Sequence, residues 1–150
     1  MKISVVIPTY NRKHTLPRAL DSVLAQSYKP FEIIVIDDGS SDGTIDMIKS
    51  KYPSIKLLES LKPSKSLKGY SPKGVSVARN VGIKQSKGDW IALLDSDDEW
   101  TPDKLIKQVQ LLKKNEGSVF CHTNEIWIRN GVRVNQHKKH QKCGGYIFKE

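Results

Sequence analysis

Four short apolar runs, each followed by polar turn residues and most by a segment with helical spacing, constrain the fold of this chain more than any other feature. They are residues 3–7, 32–36, 55–58 and 90–94. Short apolar runs bounded by turns read as strands of a parallel sheet; the run at 90–94, set off by Lys87-Gly88-Asp89, reads as a buried one. Between the first two runs, Leu16, Leu20, Val23 and Leu24 share one helix face, with Thr15 as N-cap and Pro17 in the first turn. Ser40 to Thr44 are turn and cap residues for a helix reaching about Lys51. Residues 75–85 predict a helix burying Val77, Ala78 and Val81. Thr101-Pro102-Asp103 opens another, with Leu105, Val109 and Leu112 inward and Gly117 as its stop. Residues 119–128 read as strand-like, and Gly131 as a turn into a second strand near 132–134. Repeated β-α units with short loops predict an α/β fold of three layers, a mostly parallel central sheet with helices on both faces.

The chain has 150 residues, enough for one cored domain spanning 1–150. No apolar run approaches the roughly 20 residues that span a bilayer. With the first strand beginning at Ile3, no signal peptide is expected, and two cysteines, Cys121 and Cys143, make no disulfide framework. A cytoplasmic protein is expected. The net charge of +9 admits nucleic acid, an anionic membrane surface or phosphorylated small molecules as partners. Lys62, Lys65, Lys68 and Lys73 form one basic group, and residues 129–142, with Arg133, Lys138 and Lys139, another. Neither interleaves with aromatics as a single-strand binding platform does, so solvated loops are the better account and no nucleic acid is expected.

The chemistry gathers at three strand ends: Pro8-Thr9-Tyr10-Asn11, Asp37-Asp38-Gly39-Ser40 and Asp95-Ser96-Asp97. Neighbouring parallel strands lie about 4.8 Å apart, so these ends can line one crevice at the carboxyl edge of the sheet. Four acids in five positions (Asp95, Asp97, Asp98, Glu99) repel one another unless a cation or solvation offsets them. Hard divalent ions such as Mg²⁺ or Mn²⁺ suit such carboxylates together with substrate phosphates; a solvated acidic turn capping the next helix is the plainer alternative. The dinucleotide and P-loop glycine fingerprints are both absent, so phosphates must be held another way, with a metal on Asp97 as the available device. Asp38 suits the imide N–H of uracil, or else forms the turn before the Gly43 helix. His137, His140, Cys143 and Cys121-His122 match no common zinc spacing. As a calcium loop, Asp95 onward fails at Trp100 and Ile106.

Four segments in order and spacing, Val5 to Asn11, Val35 to Thr44, Val77 to Gly82 and Leu93 to Asp98, resemble the GT-A glycosyltransferases of family 2. The resemblance covers roughly residues 1–125. It implies a GT-A nucleotide-binding domain and inverting, metal-dependent transfer from a nucleoside-diphosphate sugar, uridine-linked in the first instance. Carried over, Pro8, Thr9 and Tyr10 wrap the nucleoside, Asp38 binds the base and Arg79 faces the nucleotide. Asp95 and Ser96 lie toward the ribose or sugar, and Asp97, with Asp95, ligates Mn²⁺ or Mg²⁺. Asp98 stands behind the ligands or caps the following helix, and Asp37 takes no ligand contact. Simpler roles remain for two of these residues: Tyr10 covering the sheet edge, and Arg79 pairing with an acid such as Asp38.

Proteins of this kind continue well beyond the Asp95–Asp97 motif. This chain is therefore expected to be a donor-binding portion, its catalytic base beyond residue 150 and its transfer activity poor. An acceptor of glycan, lipid or polymer type, peripheral association with the inner face of a membrane, and homodimerisation through uncovered apolar surface complete the expectation. The competing classes are a nucleotide-binding module without transfer and a basic nucleic-acid binder.

Overall fold

The computed structural model describes residues 1–60 and 74–134. The elements run β1 (Ile3–Thr9), α1 (Leu16–Leu24), β2 (Glu32–Asp37), α2 (Thr44–Lys51), β3 (Lys56–Glu59), α3 (Val75–Gln85), β4 (Trp90–Leu93) and α4 (Lys104–Lys114), then a hairpin of β5 (Trp127–Arg129) and β6 (Val132–Val134). The first four strands form a sheet in the order β3-β2-β1-β4, every pair parallel. Period-two alternation sorts the side chains of the sheet into two cores. Val5, Ile7, Ile33 and Val35 face Leu16, Ala19, Leu20 and Val23 of α1 and Met47 and Ile48 of α2. Val6, Ile34 and Ile36 face Ala78 of α3. Ile3 packs with Leu105 and Val109, which puts α4 on the α1 side. This is the expected three-layer architecture.

All seven residues of β1 are buried, because β1 has neighbours on both sides and helices on both faces. Each fully buried Val or Ile contributes about 1.5–3 kcal/mol of transfer free energy. The strand was expected to stop before Pro8 but runs through it to Thr9. The Val6 carbonyl accepts from Leu94 N–H on the β4 side and the Thr9 carbonyl accepts from Asp38 N–H on the β2 side. By alternation, the missing N–H of Pro8 therefore points toward β4, whose pairing with β1 has already ended at Val6↔Leu93. No ladder bond is lost there.

Several local expectations need correction. Leu24 is 41% exposed, and Ala19 takes its place on the buried face of α1. Thr15 holds the N-cap position, but its hydroxyl makes no capping bond. The run at 90–94 is not buried throughout: Ile91 and Leu93 are exposed because β4 lies at the sheet edge, beyond the cover of α3, while Leu94 is buried just past the strand. Of residues 119–128, only the last two are in a strand. The hairpin turns on Asn130-Gly131, both at positive φ (50° and 76°), the geometry that favours this dipeptide. Gln26, fully buried, ties α1 to α4 by donating to the Ser22 and Thr101 carbonyls and accepting from Leu105 N–H. No helix among the described residues is long and apolar enough to cross a membrane. Lys62, Lys65, Lys68 and Lys73, the basic group beyond Val134, and His137, His140 and Cys143 lie outside the described residues.

Candidate functional site

The carboxyl ends of β2, β1 and β4 stand side by side, so the loops that leave them share one edge of the sheet. They enclose a cleft of about 430 Å³ lined by Pro8, Thr9, Tyr10, Asp38, Asp95, Ser96 and Asp97, with Arg12, Gly74, Val75 and Ala78 completing the wall. That volume lies within the range of small-molecule sites. The topology puts the Pro8-Thr9-Tyr10 segment in the middle, Asp38 on one flank and Asp95-Ser96-Asp97 on the other. Tyr10 is 42% exposed at the mouth.

The loops after β1 and β2 are laced together. Asn11, at a φ of 51°, donates its N–H to Ser40 Oγ at 2.8 Å, and its Oδ1 accepts from Ser41 N–H at 2.8 Å. Arg12 N–H donates to Thr44 Oγ1 at 3.1 Å and Lys13 N–H to Asp42 Oδ2 at 3.0 Å. Burial pushes the Asp42 carboxyl up, but hydrogen bonds from Thr44 and Lys13 outweigh it and hold the group below its ordinary value. Asp37 Oδ2 accepts from Gly39 and Ser40 N–H at 2.9 and 2.8 Å, which shapes the turn. Its Oδ1 and the Thr9 hydroxyl, on register partners of β1 and β2, are buried without a partner among the described residues.

Asp38 neither turns nor caps the Gly43 helix. Its carboxylate accepts from the Ser60 hydroxyl and from Gly74 N–H, the latter at 2.8 Å, joining the end of β3 to the start of α3. Asp38→Ala strands both donors in a site only 3% exposed. The chain should lose about 1–3 kcal/mol of stability, read as a lower urea midpoint. An unshifted midpoint would remove Asp38 from this junction.

Arg79 pairs with Asp95 rather than with Asp38. Arg12 approaches Asp97 at 3.2 Å, and Arg18 donates to the Asp97 carbonyl at 2.8 Å while its Nε lies 3.5 Å from Glu99. Three arginines from separate elements therefore supply the charge that the acidic run requires. Burial and then the charges of Asp97, Asp95 and Glu125 push the Asp98 carboxyl above its ordinary value, with Arg18 opposing. Asp98 caps nothing, since the N-cap position of α4 belongs to Asp103.

Arg12, Arg18 and Ser60 were absent from the sequence expectations. The acidic run itself called for counter-charges, and Arg12 directly follows the Tyr10-Asn11 segment. Ser60, a lone serine before the lysine-rich stretch, carried no signal. Among the described residues no three His, Cys, Asp or Glu side chains converge as a metal cage. Asp95 and Asp97 are nevertheless hard oxygen donors on one wall of the cleft, the set that holds Mg²⁺ or Mn²⁺ when phosphates complete the coordination. The residues fit such an ion.

The crevice lies at the carboxyl ends of a parallel α/β sheet, the place where open sheets of this class bind ligands. The sequence matches "Glycosyl transferase family 2" over residues 4–149, and the chain belongs to that family. The UDP-Glc:alpha-D-GlcNAc-diphosphoundecaprenol beta-1,3-glucosyltransferase WfgD of Escherichia coli is 34% identical over 95% of the chain and 56% of its own length. The amylovoran biosynthesis glycosyltransferase AmsB of Erwinia amylovora is 32% identical over 99% of the chain and 51% of its length. The chain thus spans about half of each of these relatives. S. aureus TarS in complex with UDP-GlcNAc superposes with a TM-score of 0.60 at 29% identity, over 76% of this chain and 32% of that one. The mannosyltransferase PcManGT of Pyrobaculum calidifontis, in complex with GDP-Man and Mn²⁺, gives 0.60 at 25% identity, over 74% and 32%. The fold is GT-A.

Proposed function

We propose that residues 1–150 form one domain that binds the donor in transfer of a sugar from a uridine-diphosphate sugar, with inversion, to a lipid-linked glycan or polymer. The observation that carries this reading is one cleft with a buried carboxylate, Asp38, on one flank, an acidic pair, Asp95 and Asp97, on the other, and Thr9 and Tyr10 between. Those flanks suit the two ends of a nucleoside diphosphate. Asp38, oriented by Ser60 and Gly74, accepts from a base N–H. Pro8 and Tyr10 cover the nucleoside, and Ser96 and Asp95 face the ribose and sugar. Asp97 and Asp95 would hold a divalent ion, which supplies charge stabilisation to the departing diphosphate. WfgD, by its name, uses UDP-glucose and a diphosphoundecaprenol acceptor. That supports a uridine donor and a lipid-linked acceptor; peripheral action at the inner face of a membrane is part of the same proposal.

Calorimetric titration with UDP, with and without Mn²⁺, tests the reading. Saturable UDP binding strengthened by Mn²⁺ is expected; its absence would discard the donor site. A second reading, binding without transfer, rests on the acids available. After Glu116 the chain has only Glu125 and Glu150, and Glu125 accepts from Trp127 Nε1 at 3.1 Å. Lack of a general base costs roughly 10²–10⁴-fold in rate. Turnover at about 1 s⁻¹ or more by this chain alone would show that it carries its own base.

A further inference from the structure

Arg12 sits in the cleft wall 3.2 Å from Asp97. Its main chain is fixed: the N–H donates to the buried Thr44 hydroxyl at 3.1 Å and the carbonyl accepts from Leu16 N–H at 2.9 Å. The hydrogen bonds of Asn11 to Ser40 and of Lys13 to Asp42 brace it on either side. Only the guanidinium, on its long stem, is left to move. The two side chains of the pair are 45% and 50% exposed, and ion pairs between such half-exposed groups are weak and exchangeable. Arg79 repeats the arrangement with Asp95, and its Nε is buried without a partner among the described residues. A guanidinium grips carboxylate and phosphate with the same two-pronged geometry.

We propose that Arg12 is the resident counter-ion of Asp97 and changes partner when the donor arrives, the divalent ion taking the carboxylate and Arg12 turning to a diphosphate oxygen. This rests on the donor-site reading above and deepens it. The exchange keeps every charge paired: carboxylate with guanidinium before, carboxylate with metal and guanidinium with phosphate after. Metal alone must strand the arginine, and nucleotide alone must compete with Asp97 for it. Together they meet neither obstacle. Each ligand therefore raises the affinity of the other by one common factor, as linkage requires. Arg12 is a donor-binding residue that makes donor and metal bind as a unit.

The test is a calorimetric cycle on the full 150-residue chain. Mn²⁺ and UDP are titrated singly and each in the presence of the other, for the parent, Arg12→Ala and Arg12→Lys. In Arg12→Ala, Mn²⁺ alone should bind about 2–5-fold tighter, its weak competitor having gone. UDP in saturating Mn²⁺ should bind about 10-fold weaker or worse, so the coupling factor shrinks. Arg12→Lys, which keeps the charge but not the fork, should recover part of the coupling. Matching thermal midpoints show that the fold is intact. UDP and Mn²⁺ binding to the parent with an unchanged coupling factor in Arg12→Ala would overturn the exchange alone. Failure of the parent to bind UDP at any Mn²⁺ concentration would overturn the donor-site reading and the exchange with it.

Discussion

Asp97→Asn should abolish the Mn²⁺-dependent gain in UDP affinity, a fall of about 100-fold or more. The amide keeps the shape of the carboxylate but not its charge. An ion held by one or two carboxylates plus phosphates cannot spare one of them. The parent side chain is half exposed and its ion pair with Arg12 is worth about 1 kcal/mol at most, so the fold should survive. Metal-free UDP affinity should hold or rise, since Arg12 loses its competitor for phosphate. Calorimetry with and without Mn²⁺, beside a thermal melt, separates these effects. Equal Mn²⁺ gains in variant and parent would remove Asp97 from the ligand set.

The second large effect is structural. Gly82 lies where α3 rests on the sheet, and a Cβ there would come within 2.4 Å of Val6 Cγ1 and 2.5 Å of Ile36 Cδ1. Both neighbours are completely buried on central strands and have no free volume to enter. Helix propensity alone would favour replacing the glycine by about 1 kcal/mol. Overpacking costs about 1–3 kcal/mol, occasionally more, and grows with each added carbon. Packing wins. Gly82→Ala should lose about 1 kcal/mol net, and Gly82→Leu about 3 kcal/mol or more, a large part of the 5–15 kcal/mol typical of a domain. Urea titration reads this directly; a Gly82→Leu midpoint equal to the parent's would mean that α3 can ride outward freely.

The order and class of the elements were legible because apolar period and turn residues act locally, and β1 to α4 all fall within a few residues of expectation. What escaped the sequence depends on neighbours. Whether Ile91 and Leu93 are covered depends on where β4 sits in the sheet, not on the run itself. That Pro8 can lie inside a strand depends on which way its nitrogen faces. At the cleft, Asp38, Asp95 and Asp97 announced themselves as acids at strand ends, but their partners did not. Ser60, Gly74, Arg12 and Arg79 come from other elements, and only the folded chain brings them together. Leu24 satisfied the helical period and is still 41% exposed, because it ends α1 at the rim of an open pocket that it shares with Phe31, Ile33 and Ile55.

The strand order also fixes when the cleft can exist. Strands β2 and β1 carry Asp38 and Tyr10 at their carboxyl ends, on the side of the sheet away from β4 and on its middle. The acidic wall arrives only when the chain, having built β3, crosses to the opposite side of β1 and lays down β4. Closing such distant contacts is the slow part of folding. On the proposed donor reading, β4 alone supplies the flank for the diphosphate. A bound donor would in turn fasten β4 to the sheet, adding about 2.7 kcal/mol at a hundred times its dissociation constant. The edge strand that brings the acidic wall thus becomes the one the ligand guards.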